Sequence, residues 1–223
     1  MSLRLKVLFL HVVHFYFLFS FYLYVKYSKN NKKNYFFGSL ILFLLALLSS
    51  EEAITLPLII ILYEFVFNRD NFNKKSIKNK IIKNFAPYFV FAALFAALRL
   101  FILGITGRQE QYLAGSFLLT QLTMLKAYVY YIYLLIFPVN LSLYHDIIPV
   151  VSVFDPKAFL SAFLLLTIFF FTVKYYRKRV LFFSVFWFFI TLIPFSNLLP
   201  LQIFMAERYL YVPSIGFSLI FSY

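Results

Sequence analysis

The sequence of 223 residues is 63% hydrophobic and only 13% charged, which excludes a soluble globular domain because so few polar residues cannot cover its surface. The net charge of +13 does not indicate a nucleic-acid-binding face, since the Lys and Arg residues lie in short clusters between apolar runs. The absence of cysteine excludes disulfides and thiolate metal sites, and with three histidines a histidine metal centre is not expected.

Long apolar runs divide the chain into predicted membrane spans. A helix needs about 20 apolar residues to cross a bilayer. The runs that approach this length are 7–25, 35–48, 53–67, 85–105, 158–173, 180–195 and an unfinished 210–223. We therefore predict an all-α, polytopic transmembrane helix bundle with about seven spans, forming a single, partial transmembrane domain over residues 1–223.

Three basic clusters predict which side of the membrane each loop occupies. They lie at residues 26–33, 69–83 and 174–179, and the positive-inside rule places all three in the cytoplasm. Runs 35–48 and 53–67 then form a hairpin whose tip, with Glu51 and Glu52, lies outside. The segment 106–157 must also begin and end outside.

One more apolar run, 117–137, lies within this outer segment and carries Gln121 and Lys126. It cannot be a simple crossing in this scheme. We predict an outer-surface amphipathic or re-entrant helix, with its lysine snorkelling to water. The polar residues other than the basic clusters then share one face, so the functional face is predicted to be extracytoplasmic.

The adjacent charges of Glu207 and Arg208 lie between two apolar runs. Charges at the edge of a membrane are costly, so this pair predicts a functional site in which each residue is available as the other's partner. Pro194 and Pro200 predict a break in the preceding helix, and Pro213 predicts re-entry into the lipid. Broken backbone at membrane depth is tolerated beside a cavity, so we expect a cavity-facing loop.

Other polar residues have a functional and a plain structural interpretation. Glu51 is a candidate general base or hydrogen-bond orienter, or part of a solvated turn. Arg99, in the outer leaflet, would bind a phosphate or an exposed lipid head group. Arg108 is a candidate substrate contact or a solvated loop residue. Glu64 is expected to be structural, and Asp155 is expected to start a helix as its N-cap.

The three histidines are weak candidates. His11 and His14 share a helix face, which favours packing over metal binding. His145 and Asp146 resemble an acid–base pair only by adjacency, and neighbours in an extended segment point apart. No convincing metal cluster is predicted.

Four stretches resemble one protein family, and the shortest of them is FDP at 154–156, which matches the family's helix-opening D-P or D-S. The run LLSSEEAITLPLIIILYEFVF is similar to the S-K-E-x-A-[IV]-T-L-P-L…Y-[DE] helix of transmembrane, tetratricopeptide-repeat O-mannosyltransferase-like proteins. The segment FPVNLS at 137–142 matches the family's F-P-x-N-L-S. The long run ITLIPFSNLLPLQIFMAERYLYVPSIGFS matches P-x-S-N-L…A-E-R-x-L-Y-[LV]-P-S-x-G-[FL]. Together the matches extend from about residue 6 to residue 223.

The resemblance implies a GT-C type glycosyltransferase fold. Such enzymes move a sugar, here mannose or a similar hexose, from a polyprenyl- or dolichyl-phosphate carrier to a protein hydroxyl on the extracytoplasmic side. Glu207 and Arg208 match the family's E-R, which implies that Arg208 binds the carrier phosphate. Glu51 matches the family's glutamate, whereas the family's lysine is Ser50 here. The implied partners are the bilayer, the lipid-linked sugar and an acceptor protein, with no nucleic acid and no further cofactor.

Three family features are missing from the sequence. The family's catalytic aspartate, its H-P-x-H-T-E element and its C-terminal tetratricopeptide repeats have no counterpart here. We therefore expect the chain to be part of a longer protein and inactive alone, with Glu51 as its candidate catalytic residue. The expected location is a bacterial inner membrane, or the endoplasmic reticulum membrane in a eukaryote. A non-catalytic scaffold or lipid-phosphate-binding protein is the alternative, and a transporter ranks last because no internal repeat is visible.

Overall fold

The computed structural model describes residues 3–68, 75–102, 112, 115–139, 141–201 and 203–221. These residues form α-helices joined by short 3₁₀ turns and loops, with no β-strand among them, which confirms the predicted all-α class. The helices are α1 (Leu3–Asn30), α2 (Lys33–Ser49), α3 (Leu56–Phe67), α4 (Lys75–Ile102), α5 (Phe117–Ile136), α6 (Pro156–Lys174), α7 (Arg179–Leu192) and α8 (Pro213–Phe221). The chain divides into two compact units, Met1–Leu103 and Gly104–Tyr223, each described separately below. The single transmembrane domain stays a prediction.

Three of the described helices are long and apolar enough to cross a membrane. They are Ile82–Arg99 within α4, Phe117–Ile136 and Pro156–Lys174. The apolar helices Lys33–Ser49 and Arg179–Phe195 are shorter. The described part of the chain therefore contains three candidate membrane spans, and the total of about seven stays a prediction. One of the three is α5, for which the sequence predicted no simple crossing.

In the first unit, small residues let α1 and α2 pack closely. The hydroxyls of Ser20 and Ser39 each donate to the other's backbone carbonyl at 2.7 Å, and Tyr88 of α4 donates to Ser39 Oγ at 2.7 Å. Both serines are fully buried. Close approach of helices at small residues with paired hydroxyls is a common way for helices to associate in lipid.

The carboxylate of Glu64 joins α1 to α3. It is 5% exposed and accepts hydrogen bonds from Tyr24 at 3.1 Å, from Ser28 at 2.5 Å and from Asn68 at 2.8 Å. A buried carboxylate is tolerated when several donors satisfy it. These contacts support the structural role expected for Glu64.

The predicted hairpin turn between α2 and α3 is a short 3₁₀ segment, Glu51–Thr55. The Ser50 hydroxyl accepts from the Glu52 N–H at 3.3 Å, and Thr55 donates to the Glu52 carbonyl at 2.7 Å. The α-helix starts at Leu56 rather than at Ala53, because Pro57, which has no N–H, suits the first helical turn.

In the second unit, the predicted break after α7 is present. The helix ends at Leu192, a 3₁₀ turn covers Ile193–Phe195, and Asn197 has a φ of 52°. The Gln121 side chain of α5 donates to the Ser196 and Asn197 carbonyls at 3.3 and 3.2 Å. A side chain in α5 thus satisfies backbone groups that the break leaves unpaired, as a broken helix in apolar surroundings requires.

The helix α8 begins at Pro213 and packs tightly on α7, while re-entry into the lipid at this residue stays a prediction. Trp187 donates to the Val212 carbonyl at 2.8 Å. A Cβ added to Gly216 would lie 2.6 Å from the Ser184 carbonyl oxygen, which is backbone and cannot turn aside. By contrast, a Cβ at Gly38 in α2 would meet only the tip of the Leu23 side chain, at 3.0 Å.

The two glycines allow a matched test of this packing. We expect Gly216→Ala to lower the free energy of unfolding by about 1–3 kcal/mol through overpacking, even after the helix-propensity gain of alanine. Gly38→Ala should change it by less than about 1 kcal/mol, because the Leu23 tip can move. Thermal unfolding of the purified protein in detergent measures both. A Gly216→Ala protein that melts at or above the Gly38→Ala protein would contradict the α7–α8 contact.

Candidate functional site

Glu207 lies at the start of a 3₁₀ turn, Glu207–Leu210, and its carboxylate contacts a distant loop. Its Oε1 accepts from the backbone N–H of Ser142 at 2.5 Å and lies 2.9 Å from His145 Nε2. Because a carboxylate only accepts hydrogen bonds, Nε2 is the donor. The His145 side chain is 10% exposed and that of Glu207 is 26% exposed, so the pair is partly shielded from water.

Hydrogen bonds to its backbone groups hold the loop that carries His145 in place. The His145 N–H donates to the Met205 carbonyl at 3.2 Å. Further along, Val150 N–H donates to Thr123 Oγ1 at 2.9 Å and Lys126 Nζ donates to the Ile148 carbonyl at 2.9 Å. The loop therefore runs back along α5, fixed at both ends of the segment from His145 to Val150.

Arg208 does not pair with Glu207, although the sequence offered each as the other's partner. Its side chain is exposed, and its guanidinium lies 5.3 Å from the centre of the Tyr209 ring. No carboxylate in the described part of the chain forms an ion pair with it. Successive residues of a 3₁₀ turn point about 120° apart, so Glu207 faces the loop while Arg208 faces outward.

A cleft of about 630 Å³ opens beside His145. Its polar lining comes from α5, the loop after it and the start of α6, and comprises Lys126, Tyr130, His145, Asp146, Asp155 and Lys157. The Tyr130 and His145 rings meet edge to face at 5.2 Å. Asp155 accepts from the Ala158 N–H at 2.9 Å, which confirms it as the N-cap of α6. The cleft lies within the range of about 300–1,000 Å³ that is usual for small-molecule sites.

The candidate residues of the first unit form pairs of their own. Arg99 forms an ion pair with Glu51, and both side chains are partly exposed. Glu52 is buried, with its Oε2 3.3 Å from His14 Nε2. The sequence predicts that Arg99 binds a phosphate or a lipid head group. In the structure it already has a carboxylate partner. Arg108 lies outside the described residues.

The sequence did not indicate the contact between His145 and Glu207, because 62 positions separate them. One signal pointed toward it. His145 closely follows the F-P-x-N-L-S match at 137–142, and Glu207 lies in the A-E-R match, so both belong to stretches already singled out.

Comparison with protein families, with curated proteins and with solved structures finds no match to this chain.

The ion pair of Glu51 and Arg99 gives a measurable prediction. At 37% and 36% exposure, the two side chains should couple by no more than about 1 kcal/mol in a double-mutant cycle. The cycle uses Glu51→Gln, Arg99→Gln and the double variant, followed by chemical unfolding. A coupling above about 3 kcal/mol would instead show a fully desolvated pair.

Proposed function

We propose that the chain is part of a membrane glycosyltransferase that moves a sugar from a polyprenyl-phosphate carrier to a protein hydroxyl on the extracytoplasmic side. The observation that supports this proposal most is a contact between two separate stretches of the family resemblance. Ser142 ends the F-P-x-N-L-S match, and its N–H donates to Glu207 of the A-E-R match at 2.5 Å. Two motifs that are distant in the chain thus contribute to one site.

Arg208 is the residue best suited to the carrier phosphate. Its guanidinium is exposed and has no carboxylate partner in the described residues, so its donors are available. The planar fork of arginine binds phosphate oxygens in pairs. Arg99 is less suited because Glu51 already occupies its guanidinium.

In this mechanism an acidic residue outside this chain takes the proton of the acceptor hydroxyl. The hydroxyl oxygen bonds to the sugar carbon while the bond from that carbon to the phosphate oxygen breaks. The electron pair of the broken bond moves to the carrier phosphate, which leaves with added negative charge. A cation already in place near that oxygen lowers the barrier because it need not reorganise during the reaction. We assign this role to Arg208.

We also propose that the site lies on the extracytoplasmic side of the membrane. This placement requires that α5 does not simply cross the membrane. The loop from His145 to Val150 contacts the middle of α5, at Thr123 and Lys126. Irregular backbone beside a helix avoids lipid and prefers water or protein. These contacts favour an outer-surface or re-entrant α5, although its length would allow it to cross.

Cysteine labelling tests the sidedness, since the chain has no cysteine of its own. We expect Leu143→Cys, at a position 80% exposed, to react with a membrane-impermeant maleimide added outside intact cells. Lys178→Cys, at an exposed position in the third basic cluster, should react only after the membrane is permeabilised. The reverse pattern would contradict the predicted topology.

Transfer activity tests the function and the role of Arg208. We expect the complete polypeptide that carries this chain to transfer labelled mannose from a polyprenyl-phosphate donor, and Arg208→Ala to lower kcat/KM about 10- to 150-fold, because a charge-assisted hydrogen bond contributes about 1.5–3 kcal/mol. Arg208→Lys, which keeps the charge but loses the fork, should be intermediate.

The matched control is Arg177→Ala, which removes an exposed arginine from the third basic cluster and should leave transfer unchanged. Equal transfer by Arg208→Ala and the parent would remove Arg208 from the mechanism. Tight retention of the labelled carrier without any transfer would overturn the enzymatic proposal and support the lipid-phosphate-binding alternative.

A further inference from the structure

The turn between α1 and α2 gathers positive charge at one end of the first unit. Four lysines lie in and beside this turn, and we call them the lysine tip: Lys26, Lys29, Lys32 and Lys33. The turn is tight, because α1 ends at Asn30 and α2 begins at Lys33. Asn31 has a φ of 54°, and its N–H donates to the Tyr27 carbonyl at 2.8 Å, as in a helix C-cap. The side chains of Lys29, Lys32 and Lys33 are exposed.

Carboxylates of the described residues do not neutralise the lysine tip. The sequence has no acidic residue before Glu51, and the ion pairs in the described part of the chain include no lysine of the tip. Glu64 reaches α1 near this end, but its carboxylate is buried and accepts hydrogen bonds from Tyr24, Ser28 and Asn68. The positive charge of the tip is therefore left for a partner outside these residues.

Helix stabilisation does not explain the lysine tip either. Lys29 lies in the last turn of α1, where a cation interacts favourably with the helix dipole. Lys32 and Lys33 lie at the start of α2, where the dipole repels a cation, and the Lys32 side chain forms no capping hydrogen bond. Two of the four lysines are thus unfavourable for the helix that they begin, and a negatively charged partner of their side chains would offset this repulsion.

Aromatic residues beside the tip indicate that it lies at the surface of a membrane. The Lys26 ammonium is 4.9 Å from the centre of the Tyr22 ring and 5.6 Å from that of Tyr35. Tyr22 is 47% exposed, and Phe37, one turn further into α2, is 58% exposed. Tyrosine and lysine side by side at the ends of apolar helices are typical of the boundary between lipid and water. The partner of the tip is therefore expected at the level of the lipid head groups.

We propose that the lysine tip is a docking surface for anionic phospholipid head groups of the cytoplasmic leaflet. Basic clusters next to membrane helices attract anionic lipids, and phosphate oxygens accept hydrogen bonds from ammonium groups. The bound head groups hold the turn between α1 and α2 at the cytoplasmic surface. This inference goes beyond the proposed glycosyl transfer and does not rest on it, since the lysine tip lies in the first unit and the transfer site in the second.

Fluorescence quenching tests the proposal at the tip itself, because the full chain has no cysteine of its own. Asn34→Cys, at an exposed position beside the tip, carries a bimane label in vesicles of phosphatidylcholine and phosphatidylglycerol. A nitroxide is attached near the head group of a trace of either lipid. We expect nitroxide-labelled phosphatidylglycerol to quench at least about twofold more strongly than nitroxide-labelled phosphatidylcholine, because each lysine near a surface enriches anionic lipid up to about fivefold.

The matched control site is Leu143→Cys, which is 80% exposed in the second unit and should show nearly equal quenching by the two lipids. Replacing Lys29, Lys32 and Lys33 together by glutamine should lower the quenching ratio at Asn34→Cys to the control value. Replacing them together by arginine should preserve the ratio, since the charge is kept. Concentrated salt should lower the ratio of the parent, because it screens exposed charges.

Equal quenching by the two lipids at Asn34→Cys, or an unchanged ratio after the glutamine replacements, would overturn the proposal. Circular dichroism checks the fold of each variant. If the triple glutamine variant loses helix, the single variant Lys32→Gln replaces it, and a partial fall in the ratio is then expected. Inorganic phosphate distinguishes a lipid surface from a site for a small anion. Loss of the phosphatidylglycerol preference in phosphate, but not in chloride of equal ionic strength, would also overturn the proposal.

Discussion

The carboxylate of Glu207 holds the second unit's two loops together. It accepts from Ser142 N–H and contacts His145, across 65 and 62 positions of the chain. Hydrogen bonds to a carboxylate offset part of the cost of placing it between apolar runs. This contact helps to hold the His145 loop and the cleft beside it in place.

Several other polar groups in the described residues show the same constraint, that polar groups in apolar surroundings need partners. Ser20 and Ser39 exchange hydrogen bonds between α1 and α2, and three donors surround Glu64. In the second unit, Gln121 meets the carbonyls that the α7 break leaves open. These polar side chains are thus points where two elements are joined, and they help to fix how those elements pack.

The neighbouring residues Glu207 and Arg208 point in different directions and have different contacts. Glu207 faces inward to an imidazole, and Arg208 faces outward with its guanidinium accessible. Had the two paired with each other, their charges would have cancelled and neither would meet a ligand. A 3₁₀ turn prevents this pairing, because it points successive side chains in different directions. One short turn therefore directs Glu207 to the loop and leaves Arg208 accessible for its proposed contact with a phosphate.

The sequence by itself determined the helical class, the helix break at Pro194 and the Asp155 cap, because these depend on local backbone chemistry. It also marked Glu207 and Arg208, since charges between apolar runs are conspicuous. Only the tertiary structure decided that Glu207 contacts His145 and that Arg99 pairs with Glu51. As a result, neither of these two glutamates pairs with Arg208. Pairing between distant residues depends on which side chains the packed helices bring within hydrogen-bond reach, and periodicity along a single chain carries no information about that distance.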